Sequence, residues 1–262
     1  MCYDVSFTLN IRQVQDYFPD LVFDAQMDLD FFPMDHVQGV GVFPHYPVLY
    51  RSREDHKIHL KEMEWSVMEF FLKTEPSVAK RNGMLNIRSE RVLDDTGSYW
   101  YKIRNRRCLM PVTGIYEHRA IKNWKKKVPY LVTQKSQEIF FLPGLYSVAH
   151  IADRSTGEIQ ERWSFAIMTR KANGLMQQIH NDGDNRYRMP LFLPIEKAKQ
   201  FLEEELDLET YRSILNYEIE ADALAPCPVF TIRSPKGRPD MLAKTAYYAW
   251  ENLPELGVDN PD

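Results

Sequence analysis

A chain of 262 residues, 44% hydrophobic and 27% charged, is long enough to bury a core without disulfides or metals. No run approaches the ~18 apolar residues of a membrane helix, and the opening MCYDVSFTLN lacks the basic and apolar regions of a secretory signal. Cys2, Cys108 and Cys227 cannot all pair and are too far apart for a cysteine-rich zinc site, so no metal and a reducing cytoplasm are expected, while a net charge of −4 excludes an overall basic protein.

In chain order, Ile11, Val14 and Phe18 recur at helical spacing and predict a short amphipathic helix over 10–18. Residues 19–47, rich in Pro, Asp and Phe, predict a long ordered loop with strand fragments. From Tyr46 onward, alternation and short apolar runs broken by turn residues predict strands in PVLYRS and KIHLKEMEW. Further strands are predicted over 83–88, 98–104, 107–116, 128–134, 138–146, 162–169, 188–193 and 227–232. Asp95-Thr96-Gly97 and Thr156-Gly157 are the clearest turns. Asn173 is the predicted cap of a helix over 174–180. A second helix starts at Pro194 with Ala198, Phe201 and Leu202 on one face, and a third covers 207–216. Helices that are few and clustered, not alternating with strands, predict an α+β class. The expected architecture is one domain over 1–262: a mainly antiparallel or mixed sheet curled toward a barrel, with a few peripheral helices. No Gly-rich phosphate loop, internal repeat or low-complexity segment is present.

Charge is unevenly placed. Residues 80–127 hold thirteen Lys/Arg against four acids, whereas residues 196–222 hold nine acids against three bases. A local basic surface can steer a phosphate backbone despite the overall sign, although a solvated charged face fits the same pattern.

The chemistry-bearing stretch is Met1-Cys2. The small side chain of Cys2 favours removal of the initiator, which would leave an α-amine beside a thiol. An aldehyde condenses with such an amine, and the thiol then closes a five-membered thiazolidine ring. The amine titrates near pH ~8 and the thiol near ~8.5, so both have reactive fractions at neutrality.

Four segments follow. They are Asn86-Ile87-Arg88-Ser89-Glu90, then Arg106-Arg107-Cys108-Leu109-Met110-Pro111-Val112-Thr113-Gly114-Ile115-Tyr116-Glu117. Phe165-Ala166-Ile167-Met168-Thr169 comes next, and then Gln178-Ile179-His180 ahead of Arg188-Met189-Pro190. In this order after Met-Cys, over about residues 1–193, they resemble the SOS response-associated peptidase (SRAP) family. Its members sense abasic sites and crosslink to single-stranded DNA.

The resemblance implies a function for each group. Cys2, Asn86, Glu117 and His180 would be catalytic, without a cofactor. His180 would open the closed sugar, histidine being the side chain that titrates near neutrality. Glu117 would shuttle protons during Schiff-base formation, and Asn86 would hold the Cys2 amine or the opened sugar in attack geometry. Arg88 and Arg188 would grip phosphates. Phe70 and Phe71, beside Trp65, fall where the family carries an aromatic loop that stacks on bases, and Pro44 falls in a family loop at the DNA. A monomer that avoids membranes, and possesses crosslinking, cysteine-peptidase and lyase activities, is the corresponding expectation.

Each residue also has a structural reading. His180 could cap a helix C-terminus, and Asn86 could serve a turn after Asn82-Gly83. Glu117 could pair with Arg119 or Arg107, and Trp65 could be core. Three features depart from the family pattern: Tyr3-Asp4 replaces Gly-Arg, Gly41-Val42-Phe43-Pro44 lacks the loop's Asn, and seven residues separate His180 from Arg188 where one is usual. Two alternative functions follow from the same residues. One is a cysteine peptidase with Cys2 as nucleophile, His180 as base and Glu117 orienting; the other is a non-catalytic DNA-binding module using the 80–127 segment.

Overall fold

The computed structural model describes residues 2–24, 33–153, 155–234 and 237–258. Met1 and residues 25–32 of the expected 19–47 loop lie outside the described residues. Thirteen strands are present among the described residues. The first seven are β1 (Asp4–Phe7), β2 (Val22–Phe23), β3 (Met34–Gln38), β4 (His45–Arg51), β5 (Ile58–Trp65), β6 (Asn86–Arg88) and β7 (Arg107–Val112). They are followed by β8 (Gly114–Arg119), β9 (Val128–Gln134), β10 (Phe140–Ala152), β11 (Ile159–Lys171), β12 (Arg188–Pro190) and β13 (Leu224–Pro228).

Five of them close a barrel in the order β5-β4-β7-β10-β11. All neighbours are antiparallel except the closure, where β11 runs parallel to β5 and pairs Ser164 with Glu64 and Phe165 with Trp65. Closure removes the exposed strand edges that an open sheet would leave. A second sheet, β13-β9-β8-β1-β3, packs beside it. The α+β class and the curled sheet expected from sequence are therefore observed.

Both faces of the barrel strands are buried and apolar: Leu49 and Leu109 share one face, Leu142 and Phe165 the other, and none of them is exposed. Trp65 belongs to this core. It is fully buried, lies 6.2 Å from Phe165 in a stacked arrangement, and its indole N–H donates to Leu85 O at 3.1 Å.

Among the described residues, six short α-helices lie outside the strands: α1 (Val78–Asn82), α2 (Glu90–Leu93), α3 (Tyr99–Lys102), α4 (Gly174–Ile179), α5 (Ile195–Phe201) and α6 (Leu208–Leu215). The expected helix over 10–18 is a 3-10 helix over Ile11–Asp16, closed at its start by a reciprocal Asn10–Gln13 capping box. Asn173 caps α4 by accepting from Met176 N at 3.0 Å, and Asp207 caps α6 in the same manner. No helix of the described residues is long and apolar enough to cross a membrane.

Three sequence expectations are corrected. Residues 98–104 are not a strand; Tyr99–Lys102 form one helical turn because Ser98 caps it, accepting from Tyr101 N at 3.2 Å. Aromatic residues favour strands only where a partner edge exists, and local capping decides here. Residues 107–116 are not one strand but two. Thr113 breaks the ladder: its N–H donates to Ser6 O at 2.8 Å, and its hydroxyl accepts from Thr8 N at 3.1 Å. The chain thereby leaves the barrel and enters the second sheet. Gly114 permits a close approach at this crossing: a Cβ there would stand 2.5 Å from Leu131 Cδ1 and 2.9 Å from Ser6 Oγ, so both side chains would have to shift. The final predicted strand is shifted, occupying Leu224–Pro228 in place of 227–232.

Candidate active site

The crossing at Thr113-Gly114 sets up the site. It lays β8 antiparallel to β1, with Asp4 opposite Tyr116 and Val5 opposite Ile115, so Glu117 is brought to the N-terminal end of the chain. Helix α4 packs against β8 and delivers His180 as its C-terminal cap residue. Strand β6 pairs with β11, placing Asn86 opposite Ile167. Asn86 thus reaches Cys2 directly, the Glu117 charge acts on the Cys2 thiol, and His180 reaches Glu117.

Cys2 is fully buried. Its carbonyl accepts from Asn86 Nδ2 at 3.0 Å, and its thiol lies 3.7 Å from Asp4 O. Asn86 therefore orients Cys2 and does not serve a turn; the turn at Asn82-Gly83 is closed by backbone bonds, Gly83 N to Lys80 O and Met84 N to Arg81 O, each 3.0 Å. The amide oxygen of the same side chain, Asn86 Oδ1, is buried without a hydrogen-bond partner among the described residues. Burial first, and then the charges of Glu117 and Asp4, push the Cys2 thiol well above its ordinary pKa.

His180 Nδ1 donates to Arg188 O at 2.7 Å, which fixes the tautomer because a carbonyl can only accept. Its Nε2 faces Glu117 Oε2 at 3.9 Å, with both side chains about nine-tenths buried. Glu117 pairs with neither arginine suggested by sequence. Arg119 is spent on Pro254 O, Glu255 O and Val258 O at 2.8, 2.7 and 2.6 Å, and Arg107 on Glu203 O and Glu204 O. Glu117 Oε1 has no hydrogen-bond partner among the described residues. An unpaired buried carboxylate oxygen costs on the order of 1–3 kcal/mol. Functional sites carry such costs more often than structural ones.

Glu117 and His180 open onto a cavity of about 270 Å³ that also reaches Tyr3 and His118. Burial raises the Tyr3 phenol, aided by Glu117, and lowers His118 against the opposing pull of Glu117 and Asp4. Two ion pairs also border the cavity. Lys127 meets Asp182 at 2.7 Å, and Arg233 grips Asp4, its Nε standing 2.9 Å from Oδ1. Residues His118, Lys127, Asp182 and Arg233 had no signal in the sequence beyond general basicity or nearness to Glu117.

The residues expected to meet DNA are placed less uniformly. Arg88 is exposed and touches Asn185 Oδ1 at 3.3 Å. Arg188 is engaged within the protein, holding both oxygens of Glu90 at 2.6 and 3.0 Å and donating to Thr169 O at 2.7 Å. The seven-residue segment before it is anchored at its start, because Asn181 makes paired bonds with Ala120 N and O at 2.8 and 2.9 Å. Phe70 and Phe71 are 41% and 51% exposed and form an aromatic cluster with Tyr99. Pro44 is half-buried at the start of β4, its carbonyl accepting from Trp65 N at 2.9 Å. Part of the basic 80–127 segment is structural, since Arg81, Arg107 and Arg119 are all buried.

Comparisons with known proteins bear on the family and the fold. The family model described as SOS response associated peptidase (SRAP) matches residues 1–232. No match is found among curated proteins. Among solved structures, the chain is similar to a protein from Bacteroides thetaiotaomicron with 23% identity and a TM-score of 0.70, over 87% of this chain and 92% of that one. It is also similar to two proteins from Bordetella bronchiseptica. One has 18% identity and a TM-score of 0.65 over 88% and 100% of the two chains. The other, a phage-related protein, has 20% identity and a TM-score of 0.60 over 88% and 95%. At these identities the solved structures establish the fold alone.

Proposed function

The chain belongs to the SOS response associated peptidase (SRAP) family, and from that premise we propose that it processes abasic sites in single-stranded DNA by forming a thiazolidine crosslink through Cys2. Removal of Met1 would free the Cys2 amine. His180, with its proton on Nδ1, would use Nε2 to take the hydroxyl proton as the sugar ring opens. The amine then attacks the aldehyde carbon, Glu117 transfers the protons, and water leaves to give the imine. The thiol adds to the imine carbon, its proton passing to the imine nitrogen. Two bonds to the former aldehyde carbon are made, C–N and C–S, and one water is released. Asn86 would hold the Cys2 backbone during both steps, with its unpaired Oδ1 as the acceptor for the amine.

The observation that carries this reading is geometric: Asn86 Nδ2 holds the Cys2 carbonyl at 3.0 Å, close to a buried Glu117 whose Oε1 has no hydrogen-bond partner among the described residues. A cysteine peptidase needs a thiolate, and burial with the nearby Glu117 and Asp4 charges pushes this thiol in the opposite direction. An amine-first route needs only a thiol that adds late, next to a base. Arg88 would meet a flanking phosphate, and Phe70 and Phe71 would stack on bases. The test is incubation of purified protein with an oligonucleotide carrying one abasic site, followed by denaturing electrophoresis. Wild type should give a denaturant-resistant adduct and Cys2→Ala none. No wild-type adduct, or equal adduct from Cys2→Ala, would overturn the reading.

A further inference from the structure

At the fourth position of the chain a buried carboxylate, Asp4, sits beside the active site. It is bound from two sides. His36 Nε2 stands 2.8 Å from its Oδ1, and the Arg233 guanidinium takes both oxygens through its Nε and Nη2 edge. Burial alone would raise the Asp4 carboxyl, but the His36 and Arg233 bonds outweigh it and hold the group below the usual range. Asp4 is therefore an ionised, immobile anchor.

Arg233 lies just beyond the family match, which ends at residue 232. Its side chain is 39% exposed while that of Asp4 is 3% exposed, so one edge is fixed and the rest faces the cavity shared with Glu117 and His180. The second basic group at that cavity is differently held. Lys127 and Asp182 are each 44% exposed, and exposed pairs of that kind contribute little. Withdrawing Arg233 would leave the buried Asp4 carboxylate with His36 alone and strip its Oδ2 of the guanidinium bond, a costly loss that keeps Arg233 in place. A guanidinium pinned at one edge is pre-organised to offer its remaining N–H groups to an anion.

We propose that Arg233, positioned by Asp4, is the contact for a phosphodiester at the mouth of the Cys2 site. It would give the site its preference for an aldehyde carried on a phosphate backbone. This inference rests on the crosslinking reading for its substrate class, and it adds a residue that lies outside the family-matched segment.

The test separates binding from reaction. Affinity is measured by fluorescence anisotropy with a single-stranded oligonucleotide carrying a tetrahydrofuran abasic analogue, which has no aldehyde and cannot crosslink. Arg233→Gln should bind about tenfold more weakly, and the slope of log affinity against log salt should fall in magnitude by about 0.7, the value of one phosphate contact on a single strand. Arg233→Lys, which keeps the charge, should restore the slope. Thermal melting of each variant identifies loss of fold. If Arg233→Gln remains folded with unchanged affinity and slope, Arg233 only ties the C-terminal segment to β1 and the proposal falls. If binding depends on Arg233 but wild type forms no adduct with a true abasic site, the crosslinking reading falls and the phosphate contact stands.

Discussion

His180 Nε2 stands 3.9 Å from Glu117 Oε2, too far for a direct hydrogen bond, while Glu117 Oε1 is buried without a partner among the described residues. That spacing suits two groups that pass a proton through an atom lodged between them. Glu117→Gln keeps the shape and removes the exchangeable charge. Adduct formation should slow by roughly a hundredfold to ten-thousandfold, with the melting temperature unchanged or raised because a buried unpaired carboxylate is gone. A quench-flow or gel time course beside a thermal melt checks both.

Asn86→Ala removes the donor to Cys2 O. Losing one buried orienting bond should slow adduct formation about tenfold, leaving binding to an unreactive abasic analogue near wild type. Equal loss in both assays would show that Asn86 supports the fold and not the attack geometry.

Glu90→Gln releases Arg188 from its bidentate carboxylate partner. If Arg188 contacts phosphate, the variant should bind single-stranded DNA more tightly, with a salt slope steeper by up to about 0.7. An unchanged slope would confine Arg188 to its bonds with Thr169 and Glu90.

How far these residues could be read in advance follows from how each is specified. Asn86, Glu117 and His180 sit in short motifs whose residue types and spacing are visible along the chain. The barrel strands announce themselves by alternation and by short apolar runs bounded by turns. Arg119 is a different case. It lies beside Glu117 in sequence, yet its guanidinium binds three carbonyls of the C-terminal segment more than 130 positions away. The pairs Asp4–Arg233 and Arg188–Glu90 are likewise long-range and leave no periodicity to detect. The switch of sheets at Thr113 was hidden because Val112 and Ile115 continue the apolar pattern across it. The turn at Tyr99–Lys102 was hidden because its aromatic residues favour strands while a single Ser98 cap decides the outcome.

Arg119→Met should free the C-terminal stretch around residues 254–258. Three charge-assisted bonds from a fully buried guanidinium are lost, for a destabilisation of about 3 kcal/mol. Limited proteolysis should then trim the C-terminal segment of the variant and spare that of wild type.

Alkaline pH should weaken the fold through its buried thiols. Burial raises the Cys108 thiol well above its ordinary value, and burial with Glu117 and Asp4 does the same at Cys2. Above the unfolded thiol pKa of ~8.5 the native state holds more protons than the unfolded chain, so stability falls as pH rises through that window. Cys108→Ala removes one such group. Its unfolding free energy, read from urea titrations, should decline less steeply above that pH, by up to about 1.4 kcal/mol per pH unit.

The central claim is that both the amine and the thiol of Cys2 join the sugar. Intact mass spectrometry of the products of wild type and Cys2→Ser with an abasic oligonucleotide tests this most directly, with and without borohydride. Wild type should lose Met1 and gain the mass of the oligonucleotide minus one water, stable without reduction. Cys2→Ser keeps a terminal amine but no thiol, so its adduct should survive only after borohydride traps the imine. An equally stable unreduced adduct from Cys2→Ser, or a wild-type adduct formed while Met1 remains, would contradict the account.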